Sequence, residues 1–87
     1  MMRELLDLLE EAEMLASEFT GGYSNHFSSA EEFHEMLANA IEELKHGSDT
    51  VLNEMRVWFA PTCDWDDLIG KDGEHLANRI YSILSGM

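Results

Sequence analysis

The sequence predicts an all-α fold, a compact bundle of about four amphipathic helices. Two observations lead to this prediction. Apolar side chains recur at intervals of three and four residues in four separate stretches, which is the spacing of one helical face. The segments that connect these stretches are short and contain residues that typically start or end helices. With 87 residues, the chain has the length of a single domain.

The first helix is expected from about Met2 to Phe19. Thr20 and the two glycines after it should end this helix, because glycine adopts the left-handed conformation at low cost. The apolar residues that share its buried face are Leu5, Leu8, Leu9, Ala12, Leu15, Ala16 and Phe19.

The second helix has the clearest start signal in the chain. Ser29 precedes Glu32 by three residues, which is the spacing of a capping box, and an apolar run follows. Gly47 should end the helix. Its predicted apolar face consists of Phe33, Met36, Leu37, Ala40, Ile41 and Leu44.

The third segment opens at Ser48 and should end at Ala60, because the residue before Pro61 disfavours helix. The composition of residues 55–60 would also suit a short strand, but no second strand exists to pair with it, so we expect a helix. Residues 61–70 are predicted to form a loop with at most one short turn that starts at Thr62 or Asp64. The final helix should run from about residues 72–73 to Gly86.

The charge of the chain is extreme for its size. Eighteen acidic residues oppose five basic ones, which gives a formal net charge of −13. Such a field disfavours nucleic acid and anionic membranes as ligands and attracts basic protein surfaces. The excess lies before residue 71, since the stretch 71–87 carries two acidic and two basic residues. A second interpretation is that the acidity only keeps a small protein in solution.

The sequence also predicts a location. The N-terminus does not resemble a signal peptide, because Asp7 interrupts its apolar residues. Cys63 is the only cysteine, so an internal disulfide is excluded. No stretch approaches the roughly 18 apolar residues of a membrane span. We therefore expect a cytoplasmic protein.

Three segments resemble metal-binding motifs, but each lacks a residue or an arrangement that the motif requires. The segment HEMLA (residues 34–38) begins like a zinc-protease helix, but Ala38 stands where the second histidine should be. Two Glu-x-x-His pairs, at 31–34 and 43–46, fall on one helix, whereas a di-iron bundle places such pairs on two helices. A calcium loop from Asp64 would need glycine where Ile69 stands. We expect neither a metal nor a cofactor.

The sequence also lacks the residue patterns that nucleophilic catalysis needs. Cys63 precedes Asp64, and neighbouring negative charge opposes formation of the thiolate. The chain has no glycine-rich phosphate loop, and its four histidines are scattered. The sequence thus predicts a protein that is not an enzyme, and a metal-dependent enzyme is the least favoured class.

Both tryptophans lie in the segment WFAPTCDWDD (residues 58–67). Trp58 continues an apolar helical face and is expected in the core. Trp65 follows the proline and stands among three aspartates, which allows two interpretations. It could fold back as a plug at one end of the bundle, or it could be an exposed aromatic anchor surrounded by carboxylates.

The segment FAPTCDWDDLIG, followed by GEHLANRIYSIL, resembles a group of small bacterial proteins that share a Phe-x-Pro-Thr-x-x-Trp-Asp-Asp core near the C-terminus. Such short acidic proteins are associated with toxin–immunity loci. The resemblance covers about the last third of the chain and implies a protein that binds and blocks a cognate toxin. It supplies no catalytic residues.

The resulting hypothesis is an acidic protein-binding module, most specifically an immunity-type inhibitor of a basic toxin such as a nuclease. The expected contact residues are Asp64, Trp65, Asp66, Asp67, Glu42 and Glu43, with Glu10 as a further candidate. The alternative is a self-associating structural or regulatory protein, a homodimer formed through the leucine-rich face of the first helix.

Overall fold

Five α-helices and one 3₁₀ helix follow one another in the computed structural model, which describes residues 2–86. The α-helices are α1 (Met2–Ala16), α2 (Ala30–Lys45), α3 (Leu52–Phe59), α4 (Asp64–Leu68) and α5 (Glu74–Ser85), and the 3₁₀ helix is Gly70–Gly73. Residues 2–86 contain no strand. The all-α prediction is therefore confirmed, and residues 55–60 belong to α3 and its C-cap rather than to a strand.

The first helix is shorter than predicted. It ends at Ala16, after which the N–H groups of Glu18 and Phe19 donate to carbonyls three residues back, at 3.0 and 3.1 Å. This tighter hydrogen-bonding pattern is common where a helix ends. Phe19 nevertheless packs against the core, which explains why the apolar pattern continued past the end of the helix.

The second helix begins as its sequence predicted. The Ser29 side chain accepts a hydrogen bond from the Glu32 N–H at 3.1 Å, and the Glu32 carboxylate accepts one from the Ser28 N–H at 2.8 Å. These bonds satisfy N–H groups that have no partner inside the helix. Met36 departs from the prediction, since its side chain is 44% exposed rather than part of the core.

The segment after Pro61 is more ordered than predicted. Thr62 adopts a left-handed conformation (φ 63°), and its N–H donates to the Asp66 carboxylate at 2.6 Å. Helix α4 then starts at Asp64, and the 3₁₀ helix follows after Ile69. The predicted loop is therefore a corner built from two short helices.

The helices pack in two groups that share α5. Helix α1 contacts α2 and α5, while α3 contacts α5 and α4. The radius of gyration is 11.6 Å, close to the roughly 12 Å expected for a compact chain of this length. In the described part of the chain, no helix has the length and apolar character that crossing a membrane requires.

An aromatic cluster joins α2, α3 and α4. Phe33 lies at its centre, with ring centroids 5.0 Å from Phe27, 5.9 Å from Trp58, 6.3 Å from Phe59 and 6.0 Å from Trp65. These four pairs have edge-to-face geometry, which aromatic rings prefer over face-to-face stacking. The predicted core position of Trp58 is thus confirmed.

Gly73 contacts the fully buried ring of Trp65 in this cluster. The Trp65 indole N–H donates to the Gly73 carbonyl at 3.1 Å. A Cβ atom on Gly73 would lie 2.5 Å from Trp65 Cζ2, which is much closer than atoms can approach. Since φ at this glycine is −120°, the requirement for glycine is one of space rather than of backbone conformation.

We predict that Gly73→Ala destabilises the protein by about 1–3 kcal/mol, the usual effect of overpacking a filled core. The matched control is Gly86→Ala, because Gly86 also has a negative φ and a Cβ there would meet nothing closer than 3.5 Å. Its free energy of unfolding should change by less than about 0.5 kcal/mol. Urea denaturation measures both changes, and equal effects would contradict the proposed contact.

Candidate functional site

The aspartate-rich segment turns two residues inward and two outward. Trp65 and Asp64 have no exposed surface, whereas Asp66 and Asp67 are exposed. Helix α4 causes this division, because its short turn brings residues 64, 65 and 68 onto the face that meets the core. The plug interpretation of Trp65 is confirmed. The interpretation of Trp65 as an exposed anchor is wrong, and Asp64 is also inaccessible to a partner.

The buried Asp64 carboxylate is bound by the loop between α1 and α2. Its Oδ1 accepts hydrogen bonds from the Ser24 hydroxyl at 2.5 Å and from the His26 N–H at 3.1 Å. Its Oδ2 lies 2.8 Å from His26 Nδ1, which must be the donor because a carboxylate only accepts. A buried carboxylate is tolerated when several donors satisfy it. Asp64 therefore fixes the loop to α4.

The same loop is tied to the start of α2. The Gly21 N–H donates to the Glu31 carboxylate at 2.8 Å, and the Ala30 N–H donates to the Gly21 carbonyl at 2.8 Å. The bond from Gly21 lowers the pKa of Glu31, because it favours the ionised form. Hydrogen bonds therefore hold the loop of residues 17–29 to both α4 and α2. Phe27 of this loop is buried in the core.

The two predicted glutamates lie on the last turns of α2. Glu42 faces α1, since its carboxylate is 3.8 Å from Lys45 Nζ, which is in turn 2.5 Å from the Glu10 carboxylate. The hydrogen bond to Glu10 raises the pKa of Lys45. Glu43 is exposed. The predicted contact set therefore falls into three parts: a buried pair in α4, an exposed pair in α4 and an exposed pair in α2.

A groove that the sequence did not predict runs between α2 and α3. We call it the α2–α3 groove, and it has a volume of about 400 Å³. Its lining residues are His26, Phe27, Met36, Glu54, Val57 and Trp58. Met36 and Val57 are 44% and 43% exposed. The signal that could have found it is Met36 itself, which lies at the edge of the apolar face of α2.

A second groove lies between α1, the 3₁₀ helix and α5, with a volume of about 460 Å³. This α1–α5 groove contains Met14, whose side chain is 68% exposed, together with charged residues of both signs. Lys71 and Arg79 line it beside Glu11 and Asp72. Its charge is therefore mixed, in contrast to the chain as a whole.

The histidines of the Glu-x-x-His pairs have structural partners. His34 Nε2 is paired with the carboxylate of Glu13 on α1, and His46 Nδ1 lies 2.7 Å from the Glu42 carbonyl. Within residues 2–86, no group of three or more His, Cys, Asp or Glu side chains is arranged to hold a metal ion.

The leucine-rich face of α1 is not available for self-association. Leu5 and Leu9 have no exposed surface and Leu8 is 5% exposed, because this face packs against α2 and α5 within the same chain. The predicted dimer surface is therefore wrong.

Comparisons with protein-family models, with curated proteins and with solved structures found no match to this chain. The resemblance of the segment around Trp65 to immunity proteins stays a prediction.

We predict that Asp64→Ala lowers the free energy of unfolding by about 2–4 kcal/mol, because three hydrogen bonds to a charged acceptor are lost. Asp67→Ala is the matched control, since it removes an exposed carboxylate from the same helix and should change stability by less than about 0.5 kcal/mol. Urea denaturation compares the two variants. Amide hydrogen exchange at His26 should accelerate only in Asp64→Ala, and unchanged exchange there would refute the loop contact.

Proposed function

We propose that this protein is a non-enzymatic, acidic protein-binding module. In its most specific form, it is an immunity-type inhibitor that binds and neutralises a basic toxin, such as a nuclease, in the cytoplasm. The aspartates and glutamates on its surface would contact the toxin, while the buried residues of α4 hold the scaffold in shape.

The observation that carries the proposal is the exposure of the acidic side chains. Apart from Asp64 in the core and the half-buried Glu10 and Glu13, all acidic residues of the chain are exposed. The ion pairs with lysine or arginine involve only Lys45 and Arg79 within the described residues. Most of the negative charge therefore faces solvent without a cation beside it.

A rigid helical surface with this charge suits an inhibitor of a basic protein. Complementary charge accelerates encounter and orients the partner before contact. A nuclease binds the phosphates of its substrate with basic residues, so carboxylates held at fixed positions can occupy the same site. This mechanism needs no catalytic group on the inhibitor.

Four of the six predicted contact residues remain candidates: Asp66, Asp67, Glu42 and Glu43. Asp67 and Glu43 are the better probes. Asp66 accepts the hydrogen bond that shapes the turn at Thr62, and Glu42 neighbours Lys45. A change at Asp67 or Glu43 therefore alters surface charge with little effect on local structure.

The binding module is tested with basic proteins of known structure, such as a basic ribonuclease, at about 20 mM and about 150 mM salt. We expect binding at low salt and a steep fall of the association rate constant as salt rises. Asp67→Asn and Glu43→Gln should each lower the association rate constant at low salt about two- to fivefold.

The control for this experiment is Ser82→Lys, which changes the net charge by the same amount at an exposed site on α5. It should lower the association rate less than either carboxylate variant. A protein that binds no basic partner at low salt, or binds with no dependence on salt, would refute the proposal.

The inhibitor form has a separate test by co-expression. A gene adjacent to the coding sequence should encode a basic protein that arrests growth when expressed alone, and co-expression of this chain should restore growth. Restoration should weaken with the double variant Asp67→Asn and Glu43→Gln. If no neighbouring product is toxic, the inhibitor form is wrong, while salt-dependent binding would still support the broader module.

A further inference from the structure

We infer that the α2–α3 groove is the docking site for a basic amphipathic segment of a protein partner. An apolar side chain of that segment would enter between Met36 and Val57, and its lysines or arginines would lie beside the glutamates at the groove edges. This inference rests on the proposed function and assigns it a binding surface.

The floor and walls of the groove are apolar. Phe27 and Trp58 form the floor, and each retains only 6% exposure at the groove surface. Met36 on α2 and Val57 on α3 stand on opposite walls with almost half of their side chains exposed. A flexible methionine beside aromatic rings can adapt to an incoming apolar side chain. The volume of about 400 Å³ falls within the range of about 300–1,000 Å³ typical of binding pockets.

Acidic residues lie at the groove and along the same stripe of α2 as Met36. Glu54 lines it directly, one turn before Val57 on α3. On α2, Glu32 lies about one turn before Met36 and Glu43 about two turns after it, so all three share one edge of the helix. These carboxylates lie at intervals that a basic helix or strand could match with its own side chains.

No lysine or arginine lines the groove. The basic residue nearest in sequence to the lining residues is Arg56. It is two residues after Glu54 on α3, so its side chain points about 160° away from that of Glu54 around the helix axis. Its guanidinium lies 3.5 Å from the Asn53 side chain instead. The groove thus combines an apolar centre with negative side chains at Glu54 and along α2, to which a segment with an apolar centre and positive edges is complementary.

His26 lines the groove with a fixed ring. Its Nδ1 donates to the buried Asp64, while the side chain is 53% exposed. This bond fixes the ring, so the exposed part of the His26 side chain lines the groove in one orientation.

The charge also decides against two other arrangements. A second copy of this chain would bring equally acidic edges together, and like charges across an interface oppose binding. The α1–α5 groove is a poorer fit to a basic segment, because it already contains Lys71 and Arg79. A partner segment with positive charge is therefore best matched by the α2–α3 groove.

The probe for the test is a 15-residue peptide of leucine and lysine, with the leucines on one helical face and no tryptophan. The full chain is titrated with this peptide at low salt. Trp58 lines the groove and Trp65 is buried away from it, so a change in tryptophan emission that is lost in Trp58→Phe reports binding at the groove. Two-dimensional NMR of the labelled protein should show the largest amide shifts at Phe27, Met36 and Val57.

Two variants and a matched control make the test specific. Met36→Lys and Val57→Lys should each raise the peptide Kd about tenfold or more, because each removes an apolar contact and adds a repulsive charge. Met14→Lys makes the same change at an exposed methionine of the α1–α5 groove and should raise Kd less than about threefold. A peptide with serine in place of every leucine should bind at least about tenfold more weakly.

The possible outcomes separate the groove from the broader proposal. Shifts centred on Asp66 and Asp67, or on the α1–α5 groove, would overturn the docking site, while the proposed function would stand. Equal effects of Met36→Lys and Met14→Lys would also overturn it. If the peptide does not bind at all, the docking site is wrong, and binding of the basic proteins then decides the proposed function independently.

Discussion

The burial of Trp65 is the constraint on which the C-terminal half of the molecule depends. Its ring contacts Phe33 of α2 and Phe59 of α3, and its N–H is bound by Gly73 at the end of the 3₁₀ helix. Helix α4 has only five residues, too few to be stable alone, so its position depends on tertiary contacts, of which those of Trp65 reach furthest into the aromatic cluster. With Trp65 turned inward, Asp64 is turned inward with it.

The inward position of Asp64 also constrains the loop between α1 and α2, which lies about forty residues earlier in the chain. A buried carboxylate requires donors, and the loop between α1 and α2 supplies them through Ser24 and His26. The same loop brings Phe27 onto the aromatic cluster. Two lining residues of the α2–α3 groove, His26 and Phe27, therefore belong to a loop that α4 holds in place, although α4 does not itself line the groove.

The negative charges serve two different physical purposes. Asp64 is structural, because its carboxylate is buried and bound by hydrogen-bond donors of the same chain, so a partner cannot contact it. The exposed carboxylates cover a body of 31 × 22 × 20 Å, whose dimensions are only two to four times the screening length of about 8 Å at physiological salt. The fields of neighbouring carboxylates overlap within this length, whereas opposite sides of the body are largely screened from each other. The stabilising apolar core must offset the resulting repulsion between these groups.

The sequence by itself determined the four longer helices and most of their inner faces, because periodicity and capping act over a few residues. Ser29 and Glu32 fixed the start of α2, and the apolar spacing identified the leucines of α1 and the ring of Trp58 as core. The tertiary structure decided which residues around Trp65 face solvent and where Met36 lies. Asp64 was predicted as a contact for a partner, but it is buried, and its donors stand about forty residues earlier in the chain. Contacts over such a distance leave no local pattern, so only the folded chain shows them.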